Sequence, residues 1–141
     1  MDVDVDYEMM DEENKGKYID VTVRPLDRQQ IKDIAELTTG QSTNGKWFAY
    51  RQNRITGSMF GRVLDACHHP TEFKIKSIKQ AMEGRLNLDY LEPIKWGKDK
   101  EQTAIAAYCK KTARVVKPTG IWLYPSGQLG ASPDGLVYAN A

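Results

Sequence analysis

Apolar positions along the chain predict helices first and short strands last. Apolar residues recur at helical spacing in four stretches: from Asp27 to Leu37, after Thr56, after Pro70, and from Pro93 to about Lys111. Asp27 and Thr56 are the expected N-caps of the first two helices. A short strand is expected at Tyr18–Val23 and a polar loop at Gln41–Lys46. Beyond residue 113 the apolar runs are short and separated by Pro and Gly, which is typical of hairpins. The pattern predicts an α+β fold in which N-terminal helices precede a strand meander.

Charge divides the chain into an acidic segment and a basic body. Residues 1–13 contain seven acids and no Lys or Arg, whereas residues 14–141 contain 20 Lys and Arg and 12 acids. We expect residues 1–17 to be a disordered acidic tail and residues 18–141 to form one domain. A basic body favours polyanionic partners, and the tail is either an internal competitor for them or a solvated terminus. The sequence has no membrane-spanning apolar run, and two unpatterned cysteines favour an intracellular protein.

Two acids are candidates for catalysis. Asp134 lies in a Pro-Asp-Gly sequence, which is typical of a tight turn but also suits a metal ligand at a strand junction. Glu101 shares one predicted helix face with apolar residues, where a carboxylate is costly unless it is paired or bound to a cation. Alternatively, Glu101 lies at the edge of that face and pairs with a lysine. The apolar members of the face are Ala104, Ile105 and Tyr108. The two carboxylates are a hypothetical site for Mg²⁺, which activates water and neutralises charge on a phosphodiester.

Basic side chains occupy an interval without acids, between Glu36 and Asp65. Arg51 precedes the helix expected after Thr56, so an arginine fork, the Ser58 hydroxyl and backbone N–H groups would together suit a phosphate. The alternative is that Thr56 merely caps a helix and the arginines are surface residues. Aromatic residues interleaved with the basic ones suit nucleic acid but are more often core, and they are Trp47, Phe48 and Tyr50.

Three stretches carry a more specific signal through their order and spacing. They are Arg51-Gln52-Asn53-Arg54-Ile55-Thr56-Gly57-Ser58, Trp96-Gly97-Lys98-Asp99-Lys100-Glu101 and Gly130-Ala131-Ser132-Pro133-Asp134-Gly135-Leu136. Together they resemble the phage lambda exonuclease and YqaJ-like viral recombinase family over roughly residues 45–138. The resemblance implies a restriction-endonuclease-like core, a mixed sheet flanked by helices, that degrades DNA with Mg²⁺ or Mn²⁺.

The resemblance also implies roles for individual residues. Asp134 looks like the aspartate that ligates the metal, and Glu101 like the helix glutamate that supports the metal site through water. Trp96 looks like a packing residue. The pocket for a terminal 5′ phosphate is implied to consist of Arg51, Ser58 and Ser132. The implied partners are double-stranded DNA ends and further copies of the chain in a homotrimer.

The sequence departs from the family pattern after Asp134. The family follows its Ser-Pro-Asp-Gly motif with a Glu-x-Lys pair on the next strand, and no charged residue follows Asp134 here. We therefore expect residues 18–141 to be the N-terminal part of a nuclease domain, with an incomplete mixed sheet and an incomplete site that is inactive alone. The other hypotheses are a DNA-end-binding or regulatory module without catalysis, and a protein-interaction domain whose basic body serves solubility.

Overall fold

Helices and short strands alternate in the part of the chain that the structure describes. The computed structural model describes residues 19–83 and 92–138, except for the side chains of residues 92–95. The helices are α1 (Arg28–Leu37), α2 (Gly45–Arg51), α3 (Phe60–His68), α4 (Glu72–Met82) and α5 (Glu92–Thr112), with a 3₁₀ turn at Gln41–Thr43. The strands are β1 (Ile55–Thr56), β2 (Val115–Lys117), β3 (Trp122–Leu123), β4 (Leu129–Ala131) and β5 (Leu136–Tyr138). The predicted α+β fold, with most strands after the helices, is confirmed.

Helix α1 begins and ends where local chemistry predicts. The Asp27 carboxylate accepts the Gln30 N–H at 2.8 Å, and the Gln30 side-chain oxygen accepts the Asp27 N–H at 2.9 Å. This reciprocal capping box satisfies two backbone donors at the helix start. Past the helix end, Gly40 has a φ of 97°, a left-handed conformation that glycine adopts without strain.

The core lies where α1 and α2 meet β3. Its buried apolar cluster consists of Leu26, Ile34, Tyr50, Ile121 and Leu123. Thr38 ties the end of α1 to the start of β3, because its hydroxyl accepts the Ile121 N–H at 2.9 Å and donates to the Ile34 carbonyl at 2.7 Å. A Cβ at Gly120 would collide with Thr38, so this close approach requires glycine.

Two short sheets are formed. Strand β4 pairs in parallel with β1 and antiparallel with β3, which gives a mixed three-stranded sheet in the order β1-β4-β3. The β1–β4 register places Thr56 opposite Gly130. Strands β2 and β5 form a separate antiparallel pair, with Val116 opposite Val137.

Helices α4 and α5 agree with the sequence pattern. The Thr71 hydroxyl caps α4 by accepting the Lys74 N–H at 3.2 Å. Helix α5 starts beside Pro93 and ends close to the predicted Lys111. No helix within the described ranges is long and apolar enough to cross a bilayer. The predicted acidic tail, residues 1–17, lies outside the described residues.

The strand predicted at 18–23 and the loop predicted at 41–46 were both wrong. The segment 19–23 forms no strand, and Tyr18 lies outside the described residues. The carbonyls of Val21 and Thr22 accept hydrogen bonds from the Arg54 side chain instead of from a neighbouring strand. The polar stretch Gln41–Lys46 is not a loop throughout, because Asn44 caps α2 by accepting the Lys46 N–H at 3.0 Å.

Thr56 is not the N-cap of α3. It lies in β1, and α3 begins at Phe60 with Met59 as its cap residue. Gly57 donates its N–H to Gly130 and Met59 donates to the Thr56 carbonyl, at 3.1 and 2.9 Å. These two donors are therefore used within the chain, and the predicted phosphate site at this helix start loses them.

Candidate functional site

Arg54, just after α2, is a structural residue. Its side chain is 1% exposed and donates to four backbone carbonyls at 2.8–3.1 Å: those of Gly127, Val21, Tyr50 and Thr22. Burial lowers the pKa of Arg54, and the carbonyl dipoles offset the cost of desolvating its charge. Gly127 supplies one acceptor from a turn at φ 77°, where a Cβ would collide with the Arg24 carbonyl. Arg54 therefore joins the N-terminal segment, α2 and the turn after β3.

Arg51, the last residue of α2, has different surroundings. Its guanidinium lies over the Trp47 ring, with 4.2 Å between the guanidinium carbon and the ring centroid. The side chain is half-buried, and desolvation lowers the pKa of Arg51. Among residues 19–83 and 96–138, no carboxylate lies within ion-pair distance of this guanidinium and no acceptor is hydrogen-bonded to it. A partly desolvated cation with unused donors is suited to an anionic ligand.

Trp47 connects Arg51 to Ser132. Its indole Nε1–H donates to the Ser132 hydroxyl oxygen at 2.8 Å. Since indole nitrogen is a donor only, the Ser132 oxygen accepts this bond and its own proton stays available for another acceptor. Arg51 and Ser132 are 81 positions apart in sequence and both contact one tryptophan side chain, Arg51 over its ring and Ser132 at its indole nitrogen.

Ser58 reaches the same end of the sheet through strand register. Strands β1 and β4 are parallel with Thr56 opposite Gly130, and Ser58 and Ser132 each follow two residues later. The carboxyl ends of parallel strands are a common position for ligands in mixed and parallel sheets. Ser58 is exposed, and its hydroxyl lies 3.2 Å from that of Thr56. The structure thus brings Arg51, Ser132 and Ser58 to one end of the sheet.

Gln41 fixes the backbone next to Asp134. Its amide donates to the Pro133 carbonyl at 2.7 Å and to the Thr119 carbonyl at 3.3 Å. Asp134 itself is exposed in a bend two residues before β5. Its carboxylate is therefore free to contact solvent or a ligand, on a backbone held by a distant side chain.

Glu101 is less buried than its helix pattern predicts. It is half-buried together with Ile105 and Cys109, whereas Ala104 and Tyr108 on the predicted core face are exposed. The predicted apolar face is therefore wrong in two of its members. Trp96, expected to pack, is 65% exposed.

The two candidate acids are connected indirectly. Helix α5, which carries Glu101, contacts β2, and β2 pairs with β5, which follows Asp134. Within the described residues no group of three or more His, Cys, Asp or Glu side chains is arranged to hold a metal ion. Carboxylates are the ligands that Mg²⁺ prefers, but the described side chains do not by themselves form a metal centre.

Trp47 and Gln41 belong to the site but are not among its predicted members. The sequence favours Trp47 as a core or nucleic-acid residue, although its i, i+4 spacing to Arg51 within one helix predicts contact. For Gln41 no local signal exists, because its acceptors lie 78 and 92 positions away in the chain.

The chain is an α+β protein. The donor groups of its candidate site, at one end of a mixed sheet, are suited to an anion. A family model described as the YqaJ-like viral recombinase domain matches residues 46–141, more than half of the chain, and the chain belongs to this family. This is a nuclease-type family. Comparisons with curated proteins and with solved structures gave no significant match. The matched range contains every site residue that the sequence predicts: Arg51, Ser58, Glu101, Ser132 and Asp134.

Proposed function

We propose that the protein binds the 5′-phosphorylated end of double-stranded DNA through Arg51, Ser58 and Ser132. The observation that carries this proposal is Arg51, which is half-buried and has no anionic or hydrogen-bonded partner in the described residues. Its connection to Ser132 through Trp47 supports a shared ligand. A terminal phosphate offers several acceptor oxygens, which match a guanidinium fork and two hydroxyl donors.

The charge distribution favours DNA as the source of that phosphate. The basic excess of residues 14–141 attracts a polyanion, and membership of a nuclease-type recombinase family also favours DNA as the ligand. Backbone phosphates would contact the basic surface without sequence preference, while the terminal phosphate would occupy the Arg51 site.

The reaction proposed for this site is hydrolysis of DNA phosphodiesters with Mg²⁺ or Mn²⁺. Asp134 would ligate the metal and Glu101 would support it through water. Bound metal supplies activated water and neutralises charge on the phosphate. Since the described residues hold no three-ligand cluster, we expect residues 1–141 alone to show little nuclease activity. Clear Mg²⁺-dependent degradation that Asp134→Ala abolishes would contradict this expectation.

A second candidate function is DNA-end binding without cleavage. The donors for a phosphate are connected by contacts at 4.2 and 2.8 Å, whereas the described carboxylates form no comparable cluster. Binding of phosphorylated ends that is unchanged by EDTA, combined with no cleavage in Mg²⁺ or Mn²⁺, would favour this candidate over the nuclease.

A homotrimer around DNA is a further proposal. Light scattering of the protein with and without a DNA duplex tests it.

The binding proposal is tested with a fluorescent duplex that ends in either a 5′ phosphate or a 5′ hydroxyl, in EDTA. Arg51→Ala should weaken binding of the phosphorylated end by about tenfold or more, because it removes charge-assisted hydrogen bonds, and should abolish the preference for it. Arg62→Ala is the matched control, since Arg62 is an exposed arginine bonded to Ser77. Arg62→Ala should weaken binding of the two duplexes equally. Full retention of the preference in Arg51→Ala would refute the proposal.

A further inference from the structure

Trp47 contacts both Arg51 and Ser132, and this double contact gives it a role beyond packing. We propose that Trp47 is a positioning residue that sets the preference of the site for a phosphorylated DNA end. The inference rests on the proposed binding function, and it concerns how Arg51 and Ser132 are oriented. It depends on two contacts, the 2.8 Å indole bond to Ser132 and the 4.2 Å distance between the Arg51 guanidinium carbon and the centroid of the Trp47 ring.

The indole bond fixes the direction of the Ser132 hydroxyl. A serine hydroxyl has one proton and can serve as donor or acceptor with different ligands. With Trp47 Nε1–H donating to its oxygen, Ser132 satisfies part of its acceptor capacity internally. Its proton is then directed to an external acceptor such as a phosphate oxygen. Trp47 therefore makes Ser132 a preferred donor toward the ligand.

The indole ring holds the Arg51 guanidinium in place, with the guanidinium carbon 4.2 Å from the ring centroid. No acceptor among the described residues is hydrogen-bonded to the guanidinium, so its N–H donors are free to contact a ligand. The ring is itself fixed, because Trp47 packs against the core cluster and contacts Phe48 edge-on at 4.9 Å between ring centroids. The position of Arg51 is thus set by the folded core and not by an ion pair.

These two effects create a site in which the oriented groups are donors. A phosphate monoester presents charged acceptor oxygens to such donors, whereas a 5′ hydroxyl presents one neutral oxygen. Removing Trp47 Nε1 should therefore reduce the discrimination between the two DNA ends more than it reduces general DNA affinity. If Trp47 served packing alone, its substitution would weaken binding of both DNA ends equally.

The test compares Trp47→Phe with Trp122→Phe. Trp122 is a matched control because its indole also donates to a hydroxyl, that of Thr119 at 2.9 Å, and no arginine of the described residues lies over its ring. Each protein is titrated with 5′-phosphate and 5′-hydroxyl duplexes in EDTA, and thermal unfolding is followed by circular dichroism. Trp47→Phe should reduce the preference for the phosphorylated end by about fivefold, the effect of one hydrogen bond. Trp122→Phe should leave the preference unchanged.

A double-mutant cycle separates the pathway through Ser132. Ser132→Ala should reduce the preference for the phosphorylated end to a similar extent. Because Trp47 acts through Ser132, the combined variant Trp47→Phe/Ser132→Ala should reduce this preference by less than the product of the two single fold-changes. If Trp47→Phe keeps the full preference while Arg51→Ala loses it, the positioning role is refuted and the binding proposal stands. If Arg51→Ala also keeps the preference, the binding proposal itself fails. An equal loss for both duplexes in Trp47→Phe would reduce Trp47 to a packing residue and refute the inference.

Discussion

Arg51 and Arg54 lie three positions apart in one motif and have opposite surroundings. Arg54 is almost fully buried, and its guanidinium donates to carbonyls from three separate segments of the chain. Arg51 is half-buried, stacks on one ring, and has no acceptor in contact within the described residues. Both have lowered pKa values through burial. The two arginines carry the same charge. The acceptors around each guanidinium decide whether the side chain stabilises the fold or is available to a ligand.

The comparison also separates two kinds of environment around α2. On the Arg54 side, the N-terminal segment and the turn at Gly127 close around the guanidinium and satisfy its donors. On the Arg51 side, the guanidinium contacts the Trp47 ring, whose indole N–H donates to Ser132, and no described acceptor satisfies the donors of Arg51. We therefore expect Arg54 substitutions to affect folding and Arg51 substitutions to affect binding.

The largest expected effect is on stability, from Arg54→Met. This substitution keeps much of the side-chain volume but leaves buried carbonyls without donors, so the free energy of unfolding should fall by about 3 kcal/mol. Arg51→Met should change it by less than about 1 kcal/mol, because no hydrogen bond within the described residues is lost. Urea unfolding followed by circular dichroism measures both. Equal destabilisation by the two variants would contradict the division between them.

A smaller effect is expected from Arg51→Lys. Lysine keeps the positive charge but lacks the planar fork and stacks less well on an indole ring. The affinity for a 5′-phosphorylated duplex should fall by about tenfold, the effect of one charged hydrogen bond, while affinity for the 5′-hydroxyl duplex stays the same. Titrations of both duplexes at one salt concentration measure this. Full affinity in Arg51→Lys would mean that charge alone explains binding.

The smallest expected effect comes from deletion of residues 1–17. The Tyr50 hydroxyl donates to the Asp20 carbonyl at 3.3 Å, and Arg54 holds the next two carbonyls, so residues 20–22 lie beside α2. The seven acids precede this point in the sequence and are covalently linked to it. Deletion should raise DNA affinity by a few fold at low salt, about the effect of one weak surface ion pair. It should have no effect at high salt, because salt screens the interaction. Unchanged affinity at low salt would exclude the tail as a competitor.

Local chemistry made part of the fold predictable. Both ends of helix α1 are predictable from nearby residues, because Asp27 caps its start and Gly40 follows its end. Thr56 was assigned wrongly because its actual partner, Gly130 in β4, is distant in the chain. A parallel pairing of two short strands leaves no periodic signal in either one.

The sequence predicts candidate residues for the site but not the connections between them. The resemblance pointed to Arg51, Ser58 and Ser132, and strand register together with Trp47 explains how they reach one end of the sheet. The burial of Glu101 was overestimated, because helical periodicity assumes a partner along the whole face. Among the described elements α5 packs mainly against the short strand β2.

We propose above that the Arg51 guanidinium contacts the terminal phosphate of a DNA end. Phosphorus-31 NMR observes that group directly, when a short 5′-phosphorylated duplex is titrated with the protein in EDTA. We expect the terminal-phosphate resonance to shift or broaden with the wild-type protein and with Arg62→Ala, and to stay at its free position with Arg51→Ala at the same bound fraction of DNA. An identical change with wild type and Arg51→Ala would show that Arg51 does not contact this phosphate.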